Sequence, residues 1–122
     1  MKVLVVDDSR AIRRIIGDIM KKIGFEVIEA GNGIEALQRL DEIGEPDLVL
    51  LDSNMPKMNG MDLVRAIRAN PTFSNLPIIM VTTETEMEQM ALAMMGGINE
   101  FVMKPFDQAT IADKLQLLGI GV

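Results

Sequence analysis

The sequence predicts an α/β protein in which a doubly wound sheet of parallel strands is covered by helices on both faces. Short apolar runs without polar alternation recur along the chain, and such runs are typical of strands buried on both faces. Between them lie segments in which apolar residues recur every three or four positions, as in amphipathic helices. Strands and helices alternate five times, and crossovers of this length join parallel strands.

The predicted elements follow from these runs and from the residues that punctuate them. The strands cover residues 3–6, 25–30, 48–51, 78–81 and 100–103. The helices cover about 10–23, 33–43, the stretch after Gly60, 86–95 and 108–118. A loop is predicted over 71–77, between two prolines.

Local chemistry sets the predicted ends of the elements. Ser9 is a suitable N-cap for the first helix, and Gly24 ends it. Its apolar positions keep the helical spacing and are Ile12, Ile15, Ile16, Ile19, Met20 and Ile23. Gly44 follows the second helix, where Ala36, Leu37 and Leu40 face inward, and Gly119 follows the last helix. The run 48–51 ends in Asp52 and is predicted to be the central strand.

Composition narrows the function further. We expect one domain over residues 1–122, because this length suits one ordinary core, and we expect no separate output domain. There is no cysteine, and the first apolar run is too short for a signal peptide or a membrane span, which favours a cytoplasmic protein. A net charge of −6 argues against nucleic-acid binding. Because the chain has no histidine, its chemistry depends on carboxylates, hydroxyls, lysine and backbone.

A set of polar residues stands at the ends of four predicted strands, and these ends share one edge of a parallel sheet. The residues are Asp7, Asp8, Asp52, Thr82 and Lys104. Carboxylates brought together repel one another unless a cation joins them, and oxygen ligands alone favour Mg²⁺. A hydroxyl and an ammonium beside such a site can bind a phosphoryl group. Asp52 is the candidate nucleophile, since it stands alone on the central strand while the other two acids pair as metal ligands.

Each of these residues also has an ordinary structural interpretation. The acid pair can favour the positive end of the following helix, Thr82 can simply end a strand, and Lys104 can be a solvated charge. The five together, in an otherwise apolar set of strands, favour the functional interpretation.

The order of the segments VVDDS, LLDSNMPKMNG, IIMVTTE and FVMKPF resembles the receiver domain of two-component response regulators, and most of all the stand-alone chemotaxis response regulators. The resemblance runs from the first strand to the last helix. It implies a flavodoxin-like sheet with strand order 2-1-3-4-5 and five helices. It also implies that a sensor histidine kinase donates a phosphoryl group to Asp52.

The resemblance assigns further roles. It implies that Mg²⁺ is bound by Asp7, Asp8, Asp52 and the backbone carbonyl of Asn54, and that Thr82 and Lys104 contact the phosphoryl group. It implies a cis peptide before Pro105 and a switch in which Thr82 moves and Phe101 turns inward; core filling is the other interpretation of Phe101. Asn54 and Glu84 would tune dephosphorylation. Two departures from the chemotaxis pattern argue against the flagellar-motor partner: Phe101 stands where tyrosine is usual, and Thr83 stands where a small residue is usual and would narrow the access of donor or water to the site.

The fourth helix is apolar nearly all round, which predicts a docking surface. We expect a downstream protein to bind a face made of helix four, strand five and helix five, including Met87, Met90, Met94 and Phe101. A second copy of the chain or a missing domain are alternative occupants of this face.

Three other functions stay open: a receiver module of a larger or non-chemotaxis pathway, an Asp-nucleophile phosphatase, and a flavodoxin-like cofactor binder.

Overall fold

A computed structural model of the protein describes residues 1–53, 55, 58–83 and 90–120, without the side chains of 90–92. The strands are β1 (Lys2–Val6), β2 (Glu26–Ala30), β3 (Leu48–Asp52), β4 (Ile78–Thr82) and β5 (Glu100–Met103). The helices are α1 (Arg10–Ile23), α2 (Gly33–Ile43), α3 (Gly60–Arg68), α4 (described over Met90–Met95) and α5 (Gln108–Leu117). All strand pairs are parallel, and the order β2-β1-β3-β4-β5 confirms the predicted topology.

The core is divided by the sheet into two layers. Alternate residues of β3 point to opposite faces, so Val49 and Leu51 pack in one cluster and Leu48 and Leu50 in the other. All five residues of β3 are buried, as expected of the central strand of a doubly wound sheet. The strand therefore carries Asp52 from a dry core to the carboxyl edge of the sheet.

Local chemistry fixes both ends of α1 as predicted. The Ser9 side chain accepts a hydrogen bond from the backbone N–H of Ile12, which satisfies one of the free donors at the helix start. Gly24 follows the helix with φ of 121°, a conformation that residues with a Cβ rarely adopt. Side-chain caps also begin α2, α3 and α5, where the capping residues are Asn32, Asn59 and Asp107.

The structure differs from the sequence predictions in a few places. Phe25 is buried but precedes β2, and the predicted loop 71–77 contains a short 3-10 helix, Pro71–Phe73. The predicted start of the fourth helix at Glu86 lies outside the described residues. Ile15 keeps the apolar spacing of α1 but is 56% exposed, because the apolar stripe is wider than the surface that the sheet and α5 cover.

Candidate functional site

Three carboxylates meet at the carboxyl edge of the sheet. Asp7 and Asp8 follow β1 and Asp52 ends the adjacent strand β3, so the parallel pairing brings them together. Each offers an oxygen atom, and these atoms lie within 4.8 Å of one another. Asp7 and Asp52 are buried, whereas Asp8 is exposed. The cluster is therefore anchored in the protein on one side and open to water on the other.

Lys104 reaches this cluster from β5, across the end of β4. Its Nζ lies 3.1 Å from Asp7 Oδ2 and 3.2 Å from Asp52 Oδ1. Burial by itself lowers the pKa of Lys104, but the charges of Asp52 and Asp7 and the hydrogen bonds to them outweigh burial and raise the pKa above its usual value. Lys104 is therefore a cation at neutral pH, held between two buried carboxylates.

The backbone around Lys104 is tied to the neighbouring strand. Its N–H donates a hydrogen bond of 2.7 Å to the Thr82 carbonyl, and the Lys104–Pro105 peptide bond is cis, as the resemblance implied. Lys104 directly follows the last residue of β5, and the hydrogen bond to Thr82 ties it to β4 at the same edge as the acids.

Asp7 is fixed on several sides. Its Oδ1 accepts a hydrogen bond from the Ser9 N–H, while its Oδ2 faces Lys104. Its backbone carbonyl accepts a hydrogen bond of 2.6 Å from Arg13, which also pairs with Glu29 at 3.0 Å. Sequence reasoning missed Arg13, although an arginine on the first turns of a helix that follows an acid pair was a usable signal. Asp7 is therefore buried and hydrogen-bonded through both carboxylate oxygens, whereas Asp8 is exposed.

The hydroxyl of Thr82 is buried beside a second hydroxyl. Thr82 is fully buried, and the Ser53 hydroxyl donates to Thr82 Oγ1 at 3.3 Å. Thr82 Oγ1 in turn donates to the Thr83 carbonyl at 3.4 Å. Ser53 follows Asp52 directly, but sequence reasoning assigned it no role because a serine in a turn is unremarkable by itself.

Phe101 is half-buried and packs against the core layer that contains Leu51 and Met80. The Nζ of Lys114 lies 5.5 Å from the centroid of its ring, within the range of a cation–π interaction, and 3.4 Å from Glu100. Phe101 thus occupies the same side of the sheet as Thr82 and has a charged neighbour on its outer side.

The loop after β3 approaches the N-terminus of α3 closely. A Cβ on Gly60 would lie 2.7 Å from the Asp52 carbonyl oxygen, so only glycine lets the helix start there without displacing the strand end. Asn54 and Glu84, assigned to tuning of dephosphorylation, and Met87 lie outside the described residues.

The donor set of the cluster fits a hard divalent cation. Among the described residues, three carboxylates face one ammonium group, which leaves an excess of negative charge, and the candidate ligands there are all oxygens. The exposed side at Asp8 gives access to water, which Mg²⁺ retains in most protein sites.

An apolar groove lies beside the site. It has a volume of about 280 Å³ and is lined by Lys104, Pro105, Phe106 and isoleucines of α1, among them the exposed Ile15. The exposed Lys22 lies on the same face of α1 as Ile15, two turns further along.

A sheet of this topology defines a module of the doubly wound class, in which ligands bind at the carboxyl edge, and here that edge carries the acids and Lys104. The family model of the response regulator receiver domain matches residues 3–116, and the chain therefore belongs to this family. Phosphorylation of an aspartate in the presence of Mg²⁺ is the general property of receiver domains, which act in two-component signalling.

The relatives include chemotaxis proteins that are similar to this chain in length and match it over nearly the whole of that length. Chemotaxis protein CheY1 of Helicobacter pylori is 42% identical over 119 residues, which cover 97% of this chain and 96% of the relative. The CheY homolog of Campylobacter jejuni is 41% identical over 123 residues, covering 99% and 95%. The structure of Vibrio cholerae CheY4 has a TM-score of 0.88 and 36% identity, and covers 96% of this chain and 97% of its own. Within the described residues, no helix is both long and apolar enough to cross a membrane.

Proposed function

We propose that Asp52 of this protein accepts a phosphoryl group from a phosphohistidine of a sensor kinase and that the modification switches a protein-binding surface. The observation that carries the proposal is the position of Lys104, whose ammonium group bridges the buried carboxylates of Asp7 and Asp52 within the acidic cluster. A cation at this point can contact the oxygens of a phosphoryl group bound to Asp52.

In the proposed transfer, an Asp52 carboxylate oxygen forms a bond to phosphorus while the bond from phosphorus to the histidine nitrogen of the kinase breaks. Lys104 balances charge on the phosphoryl oxygens, and Thr82 donates a hydrogen bond to one of them. The phosphohistidine lies outside this chain, which has no histidine.

Asp7, Asp8, Asp52 and the backbone carbonyl of Asn54 are the proposed ligands of Mg²⁺. When bound, the metal supplies positive charge that offsets the repulsion between the carboxylates and the incoming phosphoryl group. Thr82 and Phe101 are the proposed switch, Asn54 and Glu84 the proposed residues that tune dephosphorylation, and Thr83 narrows access.

We propose that the signal belongs to a chemotaxis-like pathway in the cytoplasm and passes through protein contacts of one receiver domain spanning residues 1–122. Support comes from the full-length similarity to chemotaxis proteins. The protein acts as a switch with slow self-dephosphorylation and not as a phosphatase with turnover on free substrates. A receiver of a non-chemotaxis pathway remains the second candidate, because Phe101 offers no ring hydroxyl to a partner.

The decisive experiment is the intact mass of the protein after incubation with acetyl phosphate, with and without Mg²⁺. The proposal predicts a gain of one phosphoryl group that requires Mg²⁺ and is reversed on standing. The proposal is contradicted if the protein gains no phosphoryl group either from acetyl phosphate or from the histidine kinases offered to it.

The apolar groove beside Lys104 is the proposed docking place of the kinase, since it adjoins the acceptor site and exposes Ile15. We expect Ile15→Glu to lower the rate of phosphoryl transfer roughly tenfold, measured with a phosphorylated kinase that labels the wild type. This is the effect of losing about one buried isoleucine contact. The rate with acetyl phosphate should not change.

The matched control for this prediction is Ile34→Glu, which alters an isoleucine of similar exposure, 50%, on α2. Both rates of this variant should equal those of the wild type. Equal slowing by the two substitutions would contradict docking in the groove and indicate a general effect of the added charge.

The proposed output face contains α4, β5 and α5, on which Met94, Met95 and Leu117 are exposed. The side chain of Met90 lies outside the described residues. We expect Met94→Glu to abolish binding of target proteins that the phosphorylated wild type retains, because a charge replaces an apolar contact, while mass gain from acetyl phosphate persists. The control Met94→Leu should bind normally. Undiminished binding by Met94→Glu would place the output elsewhere.

A further inference from the structure

Ser53 lies between the proposed phosphoacceptor and the proposed switch residue. Its backbone N–H donates to the Val81 carbonyl at 3.0 Å, which continues the pairing of β3 with β4 by one residue. Its half-buried side chain donates to Thr82 Oγ1 at 3.3 Å. The two hydroxyls are therefore held together by the sheet itself, next to the acidic cluster.

The alternation of side chains along the strands shows on which side of the sheet this bond lies. Val49 and Leu51 pack in the same core layer as Ile78 and Met80, so Ser53 and Thr82 continue that side. Asp52 continues the opposite series, that of Leu48 and Leu50. The Ser53 bond thus holds the Thr82 hydroxyl on the side of the sheet away from the Asp52 series.

A buried hydroxyl oxygen needs a hydrogen-bond donor, and Thr82 is fully buried. Ser53 supplies one donor, while the proton of Thr82 is directed to the Thr83 carbonyl, with a long separation of 3.4 Å. To donate to a phosphoryl group on Asp52, the Thr82 hydroxyl must turn away from this arrangement. This movement weakens or breaks the Ser53 bond. The bond therefore stabilises the unphosphorylated arrangement.

We propose that Ser53 is a positioning residue that sets the threshold of the switch by holding Thr82 in its unphosphorylated position. This inference rests on the proposed function, because it concerns the movement of Thr82 toward a phosphoryl group. It assigns a regulatory role to the residue that follows the acceptor. With Ser53 present, a larger part of the free energy of interaction with the phosphoryl group is needed to move Thr82.

The test uses the full chain with Mg²⁺ and beryllofluoride, a stable analogue of the phosphoryl group, and measures the apparent dissociation constant by fluorine NMR. Ser53→Ala should bind the analogue about fivefold more tightly than the wild type, the factor that corresponds to one neutral hydrogen bond. Ser53→Thr, which keeps the hydroxyl, should bind like the wild type. Ser74→Ala, the same substitution at an exposed serine, should have no effect.

The role of Thr82 is isolated by repeating Ser53→Ala in a Thr82→Ala background, where the gain should disappear. A merely structural role of Ser53 would change the analogue affinity equally in both backgrounds. Unchanged or weaker binding by Ser53→Ala in the wild-type background would overturn the inference while leaving the proposed function intact. A wild type that neither binds the analogue nor gains a phosphoryl group from acetyl phosphate would overturn both.

Discussion

Asp52→Asn should abolish the Mg²⁺-dependent gain of a phosphoryl group from acetyl phosphate. An amide oxygen lacks the charge that makes a carboxylate a nucleophile. Asp52 is the last residue of β3, and its Oδ1 lies 3.2 Å from Lys104 Nζ. The loss should be complete within the detection limit of intact-mass measurement, which makes it one of the two largest effects expected of any single substitution here.

The control for this prediction is Asp113→Asn, which removes an exposed acid on α5, outside the cluster. It should gain the phosphoryl group like the wild type. A phosphoryl gain that persists in Asp52→Asn would show that another group accepts it. Peptide mapping would then decide between Asp7 and Asp8, the other two acids of the cluster.

The fold was predictable because its signals are local or periodic. The uninterrupted run of β3 indicated a strand buried on both faces, and all its residues are buried. Ser9 and Gly24 fix the ends of α1 through their own side-chain and backbone chemistry. Parallel pairing then gathers the residues after the strands at one edge, so the meeting of Asp7 and Asp52 with Lys104 follows from topology.

The parts that sequence reasoning missed depend on tertiary contacts. Ser53 and Thr82 are 29 residues apart, and nothing in either local segment indicates that their hydroxyls meet. Arg68 resembles an ordinary cation at a helix end, yet it donates to the Gly97 carbonyl and to Asn99, and burial lowers its pKa. Periodicity likewise placed Ile15 on an apolar stripe without showing how much of that stripe the core covers.

Asp8→Asn should remove the stabilisation of the protein by Mg²⁺. Both oxygens of Asp7 already interact with the protein, through the Ser9 N–H and Lys104, whereas Asp8 is exposed and available to a metal ion. At a Mg²⁺ concentration about a hundredfold above the dissociation constant, the metal adds ~2.7 kcal/mol to the free energy of unfolding of the wild type. This corresponds to roughly 10 °C in the melting temperature.

Without Mg²⁺, Asp8→Asn should melt at the same temperature as the wild type or higher, because one of three mutually repelling carboxylates is gone. The measurement is thermal unfolding of both proteins with and without Mg²⁺, at constant ionic strength so that screening does not differ. Asp113→Asn should keep the full Mg²⁺ effect. If Asp8→Asn keeps it as well, Asp8 is not a ligand, and the metal is held by Asp7 and Asp52, which would require Lys104 to give up part of its present contacts.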